Sequence, residues 1–331
     1  MANRYWVGGT GTWDGTSTAN WSATSGGSNG ASVPTSTDDV FFDANSGGGT
    51  VTLDYDGSGT YPECANLICT GFTGSIDSSV LPPSVNGDVT LSSGGDFTLL
   101  YVQIFANCTY TSVGKSTYQI EIDGATLTLA DDLVDVSGGL YVIGTCTTNN
   151  FNVTSNTVYT AGTLNMGSST FTVSDWTVDI GATINAGTST ISMIDAFGFS
   201  RYFDGGDQTY YNLDIGNTIE LNGNNTFNTI SNSTQPITIN FAAGSTQTVT
   251  NFNVSGTAGN LVTLQSTTSG TQFNLSKASG TVSRDYLSIK DSNATGGATW
   301  NPGANSTNVS NNTGWTFPAP SAGTGNFFVF F

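Results

Sequence analysis

The sequence predicts an all-β fold, a parallel β-solenoid with coils of about 20 residues, aromatic end caps and a C-terminal strand-like tail. Three features of the chain indicate it: few helix-forming residues, a regularly recurring strand pattern, and tryptophans placed towards both ends. Thr, Val, Ile, Tyr and Phe, which suit a pleated sheet, are abundant, whereas Leu, Lys, Glu, Arg and Met are scarce. A hydrophobic fraction of 37% is too high for a disordered chain.

Residues 1–60 are predicted to form an N-terminal cap. A solenoid must close its ends, because a bare terminal coil exposes both its core and a strand edge. Large aromatic side chains can close them. We therefore assign Trp6, Trp13 and Trp21 to the N-terminal cap, and Trp300 and Trp315 to the C-terminal one.

Residues 61–200 are predicted to form the solenoid itself. Apolar–polar–apolar triplets recur there at an offset of 20, at 151–153, 171–173 and 191–193. Strands of successive coils stack about 4.8 Å apart, so side chains at equivalent positions form ladders. A β-sandwich, the alternative fold, would show longer strands without this recurrence of phase. The predicted inward ladders are Phe151, Phe171 and Ile191 in one, and Leu164 and Ile184 in the other.

Residues 201–317 are predicted to form a second β region and the C-terminal cap. Strand-like segments continue here, and the pattern leaves open whether they extend the solenoid or form a separate sheet. A dense aromatic run, Phe197–Phe203 followed by Tyr210 and Tyr211, breaks the phase. We interpret it as a plug between two solenoid segments, with sugar stacking as the alternative if the rings are exposed.

Residues 318–331 are predicted to be a linker followed by an apolar docking tail. The Pro- and Gly-containing stretch 318–325 disfavours regular strand pairing. The docking residues are Phe327, Phe328, Val329, Phe330 and Phe331. An exposed strand of this composition promotes aggregation, so we expect it to dock on the open edge of a neighbouring subunit or another particle protein. The alternative is that it folds back over its own last coil.

Charge and composition exclude several classes of function. With six Lys and Arg against 24 Asp and Glu, the formal charge is −18, which argues against binding of nucleic acid or an anionic membrane. The chain contains no His, so Ser-His-Asp triads and imidazole metal sites are excluded. No stretch is apolar enough to span a membrane, and the N-terminus lacks the apolar core of a signal peptide. These features favour release by lysis over export.

The acidic residues offer the only candidates for chemistry. Asp175 and Asp195 are one repeat apart, and paired carboxylates on adjacent coils could cleave a glycan or bind Ca²⁺. The simpler interpretation is a solvent-screened surface ladder. Asp54–Gly57 and Asp204–Asp207 resemble fragments of calcium loops but lack the full spacing, so turn formation explains them. We expect no catalytic residue, no metal and no cofactor.

Short motifs at the two ends of the chain carry a resemblance to known proteins. They are Tyr5–Trp13, Asn20–Ser22 and Ser32–Asp43 at the start, and Asp285–Trp300 and Asn311–Phe317 at the end. They resemble β-solenoid surface-repeat proteins of tailed phages and bacteria. The resemblance implies an extracellular or virion β-solenoid and brings no established active site to these residues.

Three functional hypotheses follow. The first is a non-enzymatic phage virion structural protein, on the particle surface as a capsid decoration or a head or tail projection. As partners we expect copies of itself, with a trimer favoured, other virion proteins and, as a further candidate, a host surface glycan. The second hypothesis is a tailspike-type protein that degrades or binds polysaccharide. The third is a secreted bacterial adhesin or fibril subunit, located at the cell surface.

Overall fold

The computed structural model describes residues 1–55, 57, 59–79, 81–194 and 201–318. They form a parallel β-solenoid of about 12 turns, which confirms the predicted fold. No helix occurs among these described residues, and so none that could cross a membrane.

Short strands separated by turns make up the chain. In order they are β1 (Asn3–Trp6), β2 (Gly11–Trp13), β3 (Trp21–Ser22), β4 (Asp39–Phe41), β5 (Thr50–Leu53), β6 (Glu63–Cys64), β7 (Leu67–Ile68), β8 (Ser75–Asp77), β9 (Ser84–Val85), β10 (Val89–Thr90), β11 (Asp96–Leu99), β12 (Tyr101–Ile104), β13 (Cys108–Thr111), β14 (Thr117–Ile122), β15 (Thr126–Leu129), β16 (Leu133–Val142), β17 (Thr145–Thr147), β18 (Val153–Thr160), β19 (Thr163–Asn165), β20 (Thr170–Val178), β21 (Thr183–Asn185), β22 (Thr190–Met193), β23 (Tyr202–Asp204), β24 (Thr209–Ile215), β25 (Ile219–Asn222), β26 (Thr226–Asn232), β27 (Thr238–Phe241), β28 (Thr246–Asn253), β29 (Val262–Ser266), β30 (Phe273–Lys277), β31 (Thr281–Ser283), β32 (Leu287–Lys290), β33 (Ser292–Gly296), β34 (Thr299–Asn301) and β35 (Thr307–Ser310).

All strands but β31 and β34, which form a separate two-stranded sheet, lie in three stacks. The first stack is a ten-stranded sheet in the order β21-β19-β17-β15-β13-β10-β7-β4-β1-β3, parallel except for the antiparallel strand β3 at its N-terminal end. The second stack consists of a four-stranded sheet, β2, β5, β8 and β11, followed by a longer run from Thr117 of β14 through the first halves of β16, β18 and β20 to β22, β24, β26, β28, β30 and β33. The third stack runs through β6, β9, β12, β14, the second halves of β16, β18 and β20, then β23, β25, β27, β29, β32 and β35.

The solenoid changes cross-section after the strand β21. The first stack ends there, and the described coils after it contribute strands to the second and third stacks, apart from β31 and β34, which pair with each other. Pairing nevertheless continues across the predicted boundary at residue 200, because β20 pairs with β23 and β22 pairs with β24, both in parallel. Residues 201–317 therefore extend the solenoid instead of forming a separate sheet.

The predicted ladder through Phe171 exists, but its membership differs at one position. Phe171 pairs with Ile191, as the offset of 20 predicts. On the preceding coil its partner is Val153, so the place predicted for Phe151 in this ladder is wrong. The offset from Val153 to Phe171 is 18 and not 20, because the corner between Thr160 and Thr163 has two residues fewer than the corresponding corner between Val178 and Thr183. Phe151 is half-buried against the edge of the core.

The second predicted ladder lies in the first stack. Leu164 pairs in register with Ile184, and both side chains are buried. Below them Cys146 and Leu127 continue the same ladder. Periodic apolar positions thus fill a continuous core, which is what couples one coil to the next.

Aromatic clusters occupy both ends of the described chain. Trp6, Trp13 and Trp21 are each at most 1% exposed, and the Trp21 ring centroid lies 5.2 Å from that of Trp6 and 5.4 Å from that of Trp13. At the other end Trp300 is buried and its ring centroid lies 5.3 Å from that of the half-buried Trp315. Edge-to-face packing of this kind buries the large rings over the terminal coils.

The N-terminal cap also contains a buried carboxylate, Asp38. It accepts hydrogen bonds from the Ala2 N–H at 2.8 Å and the Thr35 hydroxyl at 2.9 Å, and Arg4 lies 3.8 Å away. Burial by itself raises the pKa of Asp38, but these hydrogen bonds and the Arg4 charge outweigh it and lower the pKa below the ordinary 3.8. The ionised Asp38 side chain therefore holds the N-terminal segment at Ala2 against the turn that begins at Thr35.

We expect Asp38→Asn to destabilise the protein at pH 7 by about 1–3 kcal/mol, the contribution of hydrogen bonds to a charged group. A carboxyl whose pKa is lowered by folding stabilises the fold above its unfolded pKa, and this contribution disappears as the pH falls through the folded pKa. The difference in unfolding free energy between the two proteins should therefore begin to shrink near pH 4 and be lost as the pH falls through the folded pKa, which lies below 3.8. Urea unfolding of both proteins at pH 7 and pH 3 measures it. An equal difference at both pH values would contradict the assignment.

Candidate functional site

The clearest cluster of polar and aromatic groups lies on the outward side of the third stack. We call it the tyrosine strip and define it by six residues: Tyr101, Gln103, Glu121, Tyr141, Tyr159 and Asp179. The register is direct, since Gln103, Glu121, Tyr141 and Tyr159 occupy equivalent positions on four successive coils. Side chains at such positions lie about 4.8 Å apart along the axis.

Alternation of side chains along the strands directs these residues outward. In β12 the burial alternates, with Val102 and Ile104 buried and Tyr101 and Gln103 partly exposed. A strand sends successive side chains to opposite faces, so apolar neighbours in the core force the polar positions out. The same alternation places Tyr141 outward.

A glycine pair makes room for the rings. A Cβ on Gly138 would lie 3.1 Å from the Tyr118 ring, and one on Gly139 would lie 2.9 Å from the Tyr141 ring. Gly139 also has a φ of 123°, a conformation that other residues rarely adopt. The pairing register shifts here on both sides of the strand β16, as expected for a bulge. The bulge therefore sets the position of two tyrosine rings.

Hydrogen bonds fix the tyrosine hydroxyls against carboxylates. The Tyr101 hydroxyl donates to Glu121 Oε2 at 2.5 Å, and Gln103 Nε2 donates to Glu121 Oε1 at 3.3 Å. The Tyr159 hydroxyl donates to Asp179. Burial, followed by the bond to Glu121, raises the pKa of Tyr101, whereas the pKa of Tyr159 is raised mainly by its bond to Asp179. Both hydroxyls stay protonated at neutral pH.

The arrangement can bind a ligand that has both flat apolar surface and hydroxyl groups. The rings of Tyr141 and Tyr159 are 5.9 Å apart at 45°, and both are partly exposed. Carboxylates and amides offer acceptors for hydroxyl donors, while the ring faces accept apolar C–H groups. Negative charge on the strip disfavours anionic ligands. A neutral sugar chain has this combination of properties.

Asp175 also lies on the third stack, on the strand β20. It accepts the backbone N–H of Tyr202 at 3.0 Å, and burial raises its pKa despite that bond and the Arg201 charge. Its register partner on the preceding coil is Thr157. Asp195, the carboxylate predicted to stack with it, lies outside the described residues.

The aromatic run between the two segments divides into buried and exposed rings. Phe203 and Tyr210 are buried against Trp176, and the Tyr210 hydroxyl donates to the Gly205 carbonyl at 2.8 Å. They fill the core where the cross-section changes, the position expected of a plug. Tyr202 and Tyr211 are exposed, and residues 197–200 lie outside the described part of the chain.

Other carboxylates serve the backbone of neighbouring coils. Asp88 accepts the N–H of Thr109, Asp131 that of Ser112, and Asp132 that of Asn152, each at 2.7 Å. Of the calcium-loop fragments, Asp207 Oδ1 likewise accepts the Asn224 N–H of the next coil, whereas Asp54 Oδ1 accepts the N–H of the adjacent Tyr55 within its own loop. In the described ranges no three acidic or cysteine side chains come together as metal ligands.

The docking tail, Phe327–Phe331, lies outside the described residues, so its predicted role stays a prediction. The tyrosine strip was missed at the sequence level. The sequence signal for the strip is a Tyr that directly follows a buried apolar residue, as in Leu140–Tyr141 and Val158–Tyr159. The two tyrosines are 18 residues apart, and not 20 as the recurring offset predicts. Comparison of the chain with protein-family models, curated proteins and solved structures gives no match.

Proposed function

We propose that the protein is a non-enzymatic structural component of a phage virion surface, a capsid decoration or a head or tail projection, assembled as a homotrimer. The observation that supports this most is the parallel solenoid of about 12 turns. Stacked coils about 4.8 Å apart give a stiff rod roughly 55 Å long. Its N-terminal end is closed by tryptophans, so the rod is suited to project from a surface.

The way the described carboxylates are used supports the non-enzymatic part of this proposal. Asp88, Asp131 and Asp132 each bind a backbone N–H of an adjacent coil, so their role is to hold coils together. A catalytic acid–base pair would instead direct both carboxyl groups at one substrate position.

Purified particles of the phage that encodes the chain provide the test. We expect the protein in stoichiometric amounts by mass spectrometry, and antibody-labelled cryo-electron microscopy should locate it at the particle surface. Its presence on bacterial cells and absence from particles would favour the adhesin hypothesis and overturn this proposal.

A second candidate function, glycan binding, is favoured by the tyrosine strip. Its two adjacent rings, its two carboxylates and the Gln103 amide match the C–H faces and hydroxyls of a neutral sugar chain. A projection that also holds a host surface glycan would combine both roles.

We expect Tyr141→Ala to weaken binding of neutral host polysaccharide about tenfold, since a stacked ring contributes on the order of 1.4 kcal/mol. Titration calorimetry with purified polysaccharide measures the change. Tyr61→Ala is the matched control, because it removes an exposed tyrosine outside both the strip and the aromatic run at 197–211, and it should leave affinity unchanged. Equal loss in both variants would contradict the assignment. New reducing ends or unsaturated products during incubation would favour the enzymatic hypothesis instead.

A further inference from the structure

The strand β21 is an open edge in the middle of the solenoid. It is the last member of the first stack, and no described strand pairs with it on its C-terminal side. The described coils beyond it pass from the third stack to the second by turns, such as that at 205–208, without forming a strand of the first stack. An edge of this kind is a template for another strand.

The hydrogen bonds of β21 show which groups are available. Thr183 N–H donates to the Gly162 carbonyl at 2.8 Å, and the Asn185 carbonyl accepts from Met166 N–H at 3.0 Å. The backbone hydrogen-bonding groups of Thr183 and Asn185 therefore point towards the neighbouring strand β19. Because backbone groups alternate along a strand, the N–H and C=O of Ile184 between them face the open side.

A cavity of about 370 Å³ lies beside this edge. None of the described side chains that line it is charged, although the chain carries a formal charge of −18. The lining residues are Ile184, Asn185, Ala186, Gly187, Thr209, Tyr210 and Tyr211. Tyr211 is 37% exposed and borders the opening. The surface fits an uncharged, apolar strand.

The chain itself contains a segment with these properties. No charged side chain follows Asp291, and the sequence ends in the residues Asn326–Phe331, five of which are Phe or Val. In an extended strand Phe327, Val329 and Phe331 lie on one face and Phe328 and Phe330 on the other. Either face can therefore pack into the cavity beside Tyr210 while the backbone pairs with Ile184.

We propose that the C-terminal tail of one copy adds as a strand to the β21 edge of a second copy. This goes beyond the proposed virion role and does not depend on it. A tail that always docks on the next copy makes a head-to-tail contact, and such contacts close into rings such as a trimer when the rotation permits.

The length of the linker favours a second copy over the chain's own edge. From β23 to β35 the third stack rises by five steps, about 24 Å along the axis. Residues 319–325 span at most about 25 Å when fully extended. They follow Pro318, five residues after Thr313, which is bridged to the second stack, whereas β21 belongs to the first. Docking on the chain's own edge therefore requires an almost fully extended linker, whereas a second copy can present its β21 edge close to residue 318.

Photo-crosslinking with the full chain tests the proposal. A benzoylphenylalanine replaces Phe328, and isotopically heavy and light copies are mixed before irradiation. We expect heavy–light crosslinks from the tail to residues 184–187 or 209–211. Crosslinks confined to one copy would mean that the tail docks on its own chain, and crosslinks to any other surface would reject the β21 edge; either result overturns the proposal.

Oligomer mass provides an independent measurement. By light scattering we expect the full chain to associate and a chain ending at Gly325 to be monomeric. Tyr211→Glu should raise the dissociation constant at least tenfold, because it puts a charge at the cavity opening. Tyr202→Glu is the matched control, a tyrosine 44% exposed on the third stack, and should associate like the unmodified chain. Unchanged association after truncation, or equal effects of both Glu variants, would overturn the proposal.

Discussion

Phe171→Ala should lower the free energy of unfolding by about 3–5 kcal/mol, as expected for truncation of a large buried side chain. Phe171 is fully buried, pairs with Val153 and Ile191 on the adjacent coils, and meets Trp176 edge-to-face at 5.5 Å. The neighbouring strands hold their places by backbone hydrogen bonds, so they cannot collapse into the space left behind. Chemical denaturation followed by tryptophan fluorescence and circular dichroism measures the loss.

Thr172→Ala is the control for this prediction. Thr172 follows Phe171 on the same strand but points outward and is partly exposed. Its substitution should change stability by less than about 1 kcal/mol. A comparable loss in both variants would mean that strand propensity at this coil, and not core packing, determines the effect.

Fold class could be predicted from sequence because stacked coils impose a repeat. Where two coils have equal length, as from Phe171 to Ile191, the offset gives the pairing directly. It fails from Phe151 to Phe171, because the corner after Thr160 is two residues shorter than the one after Val178, so Val153 takes the position. Phe151 and Val153 are both apolar and are two residues apart in sequence, so alternation alone cannot choose between them.

The candidate site was harder to predict than the core. Tyr141 and Tyr159 become neighbours only through the pairing of β16 with β18, where the coil is shorter than the recurring offset, and a bulge at Gly138–Gly139 positions the rings. An outward ladder carries no hydrophobic pattern, so its members can be found only after the register is known. The open β21 edge was also missed, since its exposure results from the path of the later coils and not from its own sequence.

The backbone at the corners of the coils leaves as little room for a larger residue as the core does. Gly144 and Gly162 lie at equivalent corners of adjacent coils, where the Gly144 carbonyl accepts the Thr163 N–H at 2.8 Å. A Cβ on Gly162 would lie 1.9 Å from that same carbonyl oxygen and 2.4 Å from the Ile143 oxygen. Backbone atoms held in a ladder cannot move aside as a side chain would.

Gly162→Ala should therefore destabilise the protein by at least about 3 kcal/mol, the upper part of the range for overpacking, because it forces two coils apart and breaks the bond between them. Gly48→Ala is the matched control: its Cβ would meet only the Thr73 hydroxyl, at an ordinary 3.6 Å. Both variants reduce the flexibility of the unfolded chain equally, so the difference between them isolates the clash. Unfolding midpoints in urea and amide hydrogen exchange at Thr163 measure it. Equal stability of the two variants would show that the corners can open without cost and that the coils are held by side-chain ladders alone.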